Sequence, residues 1–595
     1  MVIRRLCQRV SVMSTVSLFH LRDGDAFGSV LTVDTGSVVV QVFDNETLRR
    51  LHVHRPVLLQ GRPGRSLIGI ITRITRKIQT TETEDGTEAV PEVVSVDAVE
   101  VGLIGTLHNM GGERPPRFRR AIETVPEIDA LCFSLEGDRL STFMRAVSEV
   151  SEKDGHPLLL GRYALDTSAD AFLNGDRLFQ RHAAIVGSTG SGKSWTTARL
   201  LEQVAELPNA NGIVFDIHGE YSPLKGDGFR HLRIAGPGDL DAPGDDVLFL
   251  PYWLLGYDAL RSLLVDRSDQ NAPNQAMLLG RCVRDAKEGF LNAAGRADLL
   301  AAFTVDSPIP FAIGDVLTKL DNLNKEMVPG AAGKEKQGDF HAKLSRMIAR
   351  LEAKVEDRRL GFLFRGGDET KKLAYLDTLV TRLLAGRKDQ DDGKGGVKII
   401  DFSEVPSDIL PLIVSMVAGL AFSVQQWTPS ARRHPVALFC DEAHNYIPDQ
   451  ANEDSEGRVA VRLFERIAKE GRKYGIGLAV ISQRPAEVSR TVISQCNNVI
   501  AMRLTNPEDQ ARVKALLPDT LTGFTDMLPV LDTGEAVVVG DASLLPSRIR
   551  IAEPGSKPDS RTIDFWKRWS EDMPVGGLDD AVEAWRRQSF GKAEE

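Results

Sequence analysis

The stretch Gly187-Ser188-Thr189-Gly190-Ser191-Gly192-Lys193-Ser194 decides how the rest of the chain is read. Ahead of it stands Arg181-His182-Ala183-Ala184-Ile185-Val186, whose apolar run has the length of a buried strand. Behind it, Trp195-Thr196-Thr197-Ala198-Arg199-Leu200-Leu201-Glu202-Gln203-Val204 places its apolar residues at helical spacing. Strand, glycine-rich turn and helix, in that order, are the setting of a phosphate-binding P-loop. Glycines let successive backbone N–H groups turn inward around a polyphosphate, and the helix start adds a partial positive charge. Lys193 is expected to reach the outer phosphates of ATP and the Ser194 hydroxyl to ligate Mg2+. A glycine-rich turn arising by chance is the competing reading, but every position of the motif is filled and both flanks are right.

The second half of such a site follows downstream. Val436-Ala437-Leu438-Phe439-Cys440 reads as a buried strand that delivers Asp441-Glu442. Asp441 is expected to hold Mg2+, and Glu442 to polarise the attacking water. Two acids ending an exposed strand would be unremarkable alone; with a P-loop upstream they complete a hydrolytic site. Gln483, after the run 478–482, can bond the γ-phosphate or the water, or merely cap a loop. Glu465-Arg466-Ile467-Ala468-Lys469-Glu470-Gly471-Arg472-Lys473 offers arginines that could reach a neighbouring subunit's γ-phosphate or end a helix in salt bridges. His218 and His444 lack metal-ligand spacing with Cys, and are expected either to support structure or to stand behind the residues that touch the nucleotide.

Length and composition set the frame. At 595 residues the chain exceeds a single core. Its 42% hydrophobic and 26% charged content is that of a globular protein. With a formal net charge of −10, attraction to nucleic acid must come from a local basic lining rather than the whole surface. The cysteines, Cys7, Cys132, Cys282, Cys440 and Cys496, are scattered without a CxxC pair, so neither a disulfide framework nor a zinc site is expected. A reducing, cytoplasmic setting follows. No run reaches the roughly 20 apolar residues that span a bilayer, so no membrane partner is expected. The basic residues of 1–13 are not followed by the apolar core of a signal peptide.

Short β-like runs at 29–33, 37–43, 57–60, 67–74 and 93–96, punctuated by Gly, Asp and Pro, predict a small all-β sandwich or barrel over 14–105 with an acidic hairpin tip at 80–88. Residues 106–160 read as a connecting segment containing the basic cluster at 115–120 and a helix at 140–150. From 161 to 555 strands alternate with helices, the α/β signature of a parallel sheet: 213–216, 397–401, 436–441, 478–481, 499–502 and 536–539. Over about 256–395 the alternation gives way to a helical insertion, with helices predicted at 274–291, 340–360 and 376–384. A helical tail occupies 556–595, with a helix predicted at 563–569.

Several separated motifs, in order, resemble one family. Gly187–Ser194, Asp216-Ile217-His218-Gly219-Glu220-Tyr221, Leu250-Pro251-Tyr252-Trp253, Asp441-Glu442-Ala443-His444-Asn445, Glu470-Gly471-Arg472-Lys473-Tyr474-Gly475 and Ser482-Gln483-Arg484-Pro485 look like those of the HerA helicase/translocase family, which belongs with the FtsK-type motors. Gly28-Ser29-Val30-Leu31 and Thr35-Gly36-Ser37 are similar to the start of its N-terminal HAS barrel. The resemblance covers about 20–555. It implies a RecA-like P-loop ATPase core and a homohexameric ring with ATP sites between subunits, moving along double-stranded DNA. It also implies Lys193 and Ser194 at the phosphates, Asp441 and Glu442 at metal and water, and Gln483 as sensor. An arginine acting within the subunit matches Arg181; one acting across the interface matches Arg472 or, alternatively, Arg466. Such proteins work with an effector in trans, a nuclease in DNA end processing or, in antiviral operons, partners such as sirtuin-like NAD-degrading proteins. An ATP-gated scaffold that holds an effector without processive movement is the alternative; DNA-stimulated hydrolysis separates the two.

Overall fold

The computed structural model describes residues 21–587 apart from 35, 63, 82–91, 109–116, 149–156, 330–333, 391, 451–455, 518, 544, 561–562, 564 and 572–575. The expected acidic tip, the start of the basic cluster and Cys7 lie outside the described residues. Residue contacts divide the chain into two compact units, one of 1–178, 498–505 and 513–552, the other of 179–497, 506–512 and 553–595. These bounds differ from those expected at 105, 160 and 555.

In the first unit six antiparallel strands close a barrel. Ser37–Val42, Gly28–Val33, Leu131–Ser134, Pro56–Gln60, Arg65–Thr81 and Glu92–His108 follow one another around it, and Glu92–His108 pairs back to Ser37–Val42. Alternation along each strand sends Val30, Val40, Val57, Leu59, Ile71, Val99 and Val101 into the core, all at 0% exposure. Each such side chain contributes on the order of 2 kcal/mol. Residues 106–160 are not a mere connection. Leu131–Ser134 is a barrel stave and Arg117–Arg119 pairs with Glu92–His108. Both are short, four and three residues, which hides them in the sequence; Leu131–Ser134 is a strand because it fills the gap between Gly28–Val33 and Pro56–Gln60.

The first unit also holds a second antiparallel sheet in the order Asn498–Ala501, Glu535–Val539, Ser547–Ile551, Leu158–Tyr163 and Asp166–Leu173. Two of the strands expected in the parallel core, 499–502 and 536–539, therefore run antiparallel to each other. Both are apolar on every residue, a pattern that marks burial but not direction.

The second unit is built on a parallel sheet. Its order is Val247–Leu248, Phe229–Ile234, Val397–Asp401, Gly212–Asp216, Val436–Cys440, Ile476–Ser482, Ala183–Val186. Every residue of Ala183–Val186, Gly212–Asp216, Val436–Cys440 and Ile476–Ser482 is buried, as befits strands covered on both faces. Phe215 anchors one side, its ring 6.0 Å from Phe402, 6.3 Å from Tyr446 and 6.4 Å from Phe464, edge-to-face in each case. Between 256 and 395 lie the helices Tyr257–Leu264, Ala272–Ala293, Ile313–Lys325, Ser345–Glu356 and Tyr375–Leu384. Leu410–Trp427 is the one helix among the described residues long and apolar enough to cross a membrane. It packs on Glu456–Glu470 and buries Leu412, Ile413, Val417, Ala421 and Phe422. The tail helices Phe565–Ser570 and Leu578–Arg587 leave Trp566, Trp569 and Trp585 exposed.

Candidate nucleotide site

The site gathers at the carboxyl edge of the parallel sheet, where open α/β sheets hold ligands. Ala183–Val186 ends in the glycine-rich turn, and the helix Lys193–Glu206 begins at its far side. The turn needs glycine twice: Gly190 has φ 72° and Gly192, which starts the helix, φ 110°. Beyond Gly190 a Cβ would meet nothing within 4 Å, so the mouth of the loop is open space. The helix is held by Thr197, Ala198, Leu200, Leu201 and Val204, all buried. Inside the loop the Ser191 hydroxyl is buried without a hydrogen-bond partner among the described residues. Ser194 is half-buried at the first turn.

The strand Ile476–Ser482 separates Ala183–Val186 from Val436–Cys440, so Asp441 and Glu442 emerge one strand away from the loop. Asp441 is 4% exposed and its Oδ2 has no hydrogen-bond partner among the described residues. Burial, and then the charges of Glu442, Glu220 and Asp216, hold its carboxyl well above the ordinary range. Lys193 is buried as well; desolvation lowers its pKa while Glu442, Asp441 and Glu220 pull the other way. A buried excess of acid beside one lysine, with an orphaned carboxylate oxygen, is the donor chemistry that a Mg2+–triphosphate neutralises. Ser194 and Asp441 are the residues that would hold the ion, which polarises the terminal phosphate when bound.

Glu442 adopts the left-handed conformation, φ 42° and ψ 47°, uncommon for a side chain of its size. Its Oε2 lies 3.3 Å from His444 Nδ1, which is also 3.3 Å from Ser482 Oγ. Ser482 Oγ in turn accepts from the Arg484 amide at 3.0 Å. On the next bond of the chain Gln483 reaches the loop: Thr189 Oγ1 donates to Gln483 Oε1 at 2.7 Å. Tyr446 donates its hydroxyl to the Asp441 carbonyl at 2.9 Å, fixing the acid turn to the aromatic core.

Two contributors, Thr189 as a partner of Gln483 and Glu220, escape the sequence reading, and a third, His444, lies against Glu442. Thr189 as partner of Gln483 depends on strand order and leaves no linear signal, whereas His444 meets Glu442 because the two lie two residues apart on the tight turn after Val436–Cys440. Glu220 was quoted only as part of a motif, yet its charge acts on both Lys193 and Asp441. The amides of Glu220 and Tyr221 each donate to the Asp216 carboxylate at 2.9 Å, which shapes that turn. Asp216 itself is pushed up to about 7, mainly by burial. A strand ending in Asp followed by Gly-Glu is the clue that could have found it.

The arginines fall differently. Arg181 stands two residues ahead of Ala183, its carbonyl accepting from Asn497 N at 2.9 Å. Arg466 is engaged: its guanidinium lies 4.7 Å from the Phe422 ring centroid and 3.6 Å from Glu470 Oε2. Arg472, on the turn Gly471–Tyr474, is exposed and makes no ion pair among the described residues.

Loop, acid pair and sheet together define a P-loop ATPase. The family description "Helicase HerA, central domain" matches residues 158–421. The DNA double-strand break repair helicase HerA of Pyrococcus furiosus is 39% identical over 428 residues, covering 66% of this chain and 69% of that protein. Its counterpart in Sulfurisphaera tokodaii is 25% identical over 405 residues, 66% and 70% of the two chains. Among solved structures, VirB4 of Thermoanaerobacter pseudethanolicus superposes with a TM-score of 0.44 at 16% identity, covering 67% of this chain and 97% of that one. The chain belongs to the HerA family, and its N-terminal barrel fits the HAS barrel expected of it.

Proposed function

We propose that this protein is an ATP-driven DNA translocase or helicase. In this reading it works as a homohexamer with ATP bound between subunits, and moves duplex DNA for a separate effector, a nuclease or a sirtuin-like NAD-degrading protein, in DNA end processing or antiviral defence. The observation that carries it is the meeting of Lys193, Asp441, Glu442 and Gln483 at one sheet edge, in a chain related to helicases of DNA double-strand break repair. Lys193 and the loop amides bind the phosphates, and Ser194 and Asp441 take the Mg2+. Glu442 accepts the proton of the attacking water. Gln483, bonded to Thr189, is positioned to register whether a γ-phosphate is present. Arg181 serves the site from its own subunit. Arg472, exposed and without an ion pair among the described residues where Arg466 is occupied, is the better candidate to reach a neighbour's γ-phosphate.

The test is hydrolysis with and without duplex DNA, read beside displacement of a roadblock bound to that duplex. Duplex-stimulated turnover with directional displacement supports the motor. Turnover indifferent to DNA but raised by the effector supports the scaffold instead.

A further inference from the structure

The P-loop accounts for phosphates, but one segment near it has no part in that chemistry. Residues 553–559 cross the helix Lys193–Glu206. Glu202, two turns along that helix, accepts the Gly555 amide at 2.9 Å through Oε2 and the Ser556 amide at 2.7 Å through Oε1. At the other end the Asp559 amide donates to the Glu220 carbonyl at 2.7 Å, the same Glu220 whose charge reaches Lys193. Pro554 and Pro558 are both buried, and their fixed φ stiffens the span. In the middle, Lys557 Nζ lies 5.1 Å from the centroid of Trp195.

Trp195 is the residue directly after Ser194. A loop that holds phosphates on its amides brings the nucleoside end of the same molecule to the first helical turn, and the ring standing there is half-buried. A large aromatic half open to water, with a cation over it, is a stacking platform for a flat heteroaromatic group. Core packing does not account for it, since the buried residues of this helix are Thr196, Thr197, Ala198, Leu200, Leu201, Val204 and Ala205 with Lys193.

We propose that Trp195, backed by Lys557 and the strap 553–559, forms the wall on which the nucleobase of the bound nucleoside triphosphate rests. This rests on the ATPase reading above and adds the part of the site that tells a nucleotide from a bare polyphosphate.

Competition against a fluorescent ATP analogue, using full-length protein and Mg2+, tests it. ADP and inorganic tripolyphosphate are the two competitors. Trp195→Ala is expected to weaken ADP about tenfold, the effect of one lost base stack, and to leave tripolyphosphate unchanged. Trp195→Phe should restore most of the ADP affinity, and Lys557→Ala should cost about threefold. Equal weakening of both competitors in Trp195→Ala, or an unchanged ADP affinity, overturns the proposal. Lys193→Ala, which should weaken both competitors, reports the phosphate site separately. If neither competitor displaces the analogue from the unmutated protein, the ATPase reading fails and the wall fails with it.

Discussion

Thr189 and Gln483, far apart in the chain, are joined by a 2.7 Å hydrogen bond from hydroxyl to amide oxygen. The bond ties the phosphate loop to the end of the strand beside it, so a γ-phosphate arriving at the loop competes for the same groups. Gln483→Ala is expected to lower kcat about 10- to 100-fold with little change in KM, because the lost contact is one used in turnover. Steady-state kinetics with ATP decide this. A raised KM at constant kcat would place Gln483 in ground-state binding instead.

Asp441, Glu442 and Lys193 divide the work, and substitutions should divide likewise. Lys193→Ala should weaken nucleotide binding. Glu442→Gln should retain ATP while turnover drops about 100-fold or more, since only the proton acceptor is lost. Trapping of labelled ATP on the glutamine variant is the measurement, and normal turnover there removes Glu442 from its role.

Arg466 and Arg472 are predicted to separate by assay. Arg466→Ala loses the Phe422 stack and the Glu470 pair, about 0.5–1 kcal/mol of stability, with modest loss of activity. Arg472→Ala should leave the melting temperature unchanged but silence neighbours in mixed assemblies. Activity that falls in simple proportion to the fraction of variant subunits argues against action in trans.

His182 makes stability depend on pH. Its Nδ1 accepts from the Leu478 amide at 3.0 Å and its Nε2 meets the Ala468 carbonyl at 3.1 Å, an arrangement that needs the neutral ring. Burial lowers its pKa below the ordinary 6.5. The unfolded chain therefore binds the extra proton first, and stability, full above about pH 6.5, is lost as pH falls toward the lowered value. Denaturant titrations from pH 7.5 to 5.5 should show a shallower pH dependence in His182→Gln, which is less stable at neutral pH. Identical slopes would refute the assignment.

Chemistry that depends on adjacent residues was legible in the sequence: the phosphate loop with its strand and helix, the Asp441-Glu442 pair, and the barrel's alternating staves. Pairing between distant segments was not. Phe229–Ile234 carries Arg230, His231 and Arg233 among its six residues, with the first two adjacent, so it shows neither a continuous apolar run nor a clean alternation, yet it pairs with Val397–Asp401. Ile313–Lys325 buries only Val316 and Leu320 and was absent from the predicted helices. The helix predicted over 340–360 is confined to Ser345–Glu356, because Asp357 caps a new turn by accepting the Arg359 amide. The functional contact missed, Thr189 with Gln483, comes from strand neighbours that no local pattern names.

Tyr163 pairs with Ile549 in the antiparallel sheet of the first unit. During synthesis, the hairpin Leu158–Tyr163 with Asp166–Leu173 leaves the ribosome long before the strand that will cover its open side. The P-loop and both acids are made in the interval, so the nucleotide-handling region can fold while its companion still shows an unpaired edge. Substitutions that stop Ser547–Ile551 from pairing with Leu158–Tyr163 would make that vulnerable interval permanent, and aggregation would be the first symptom.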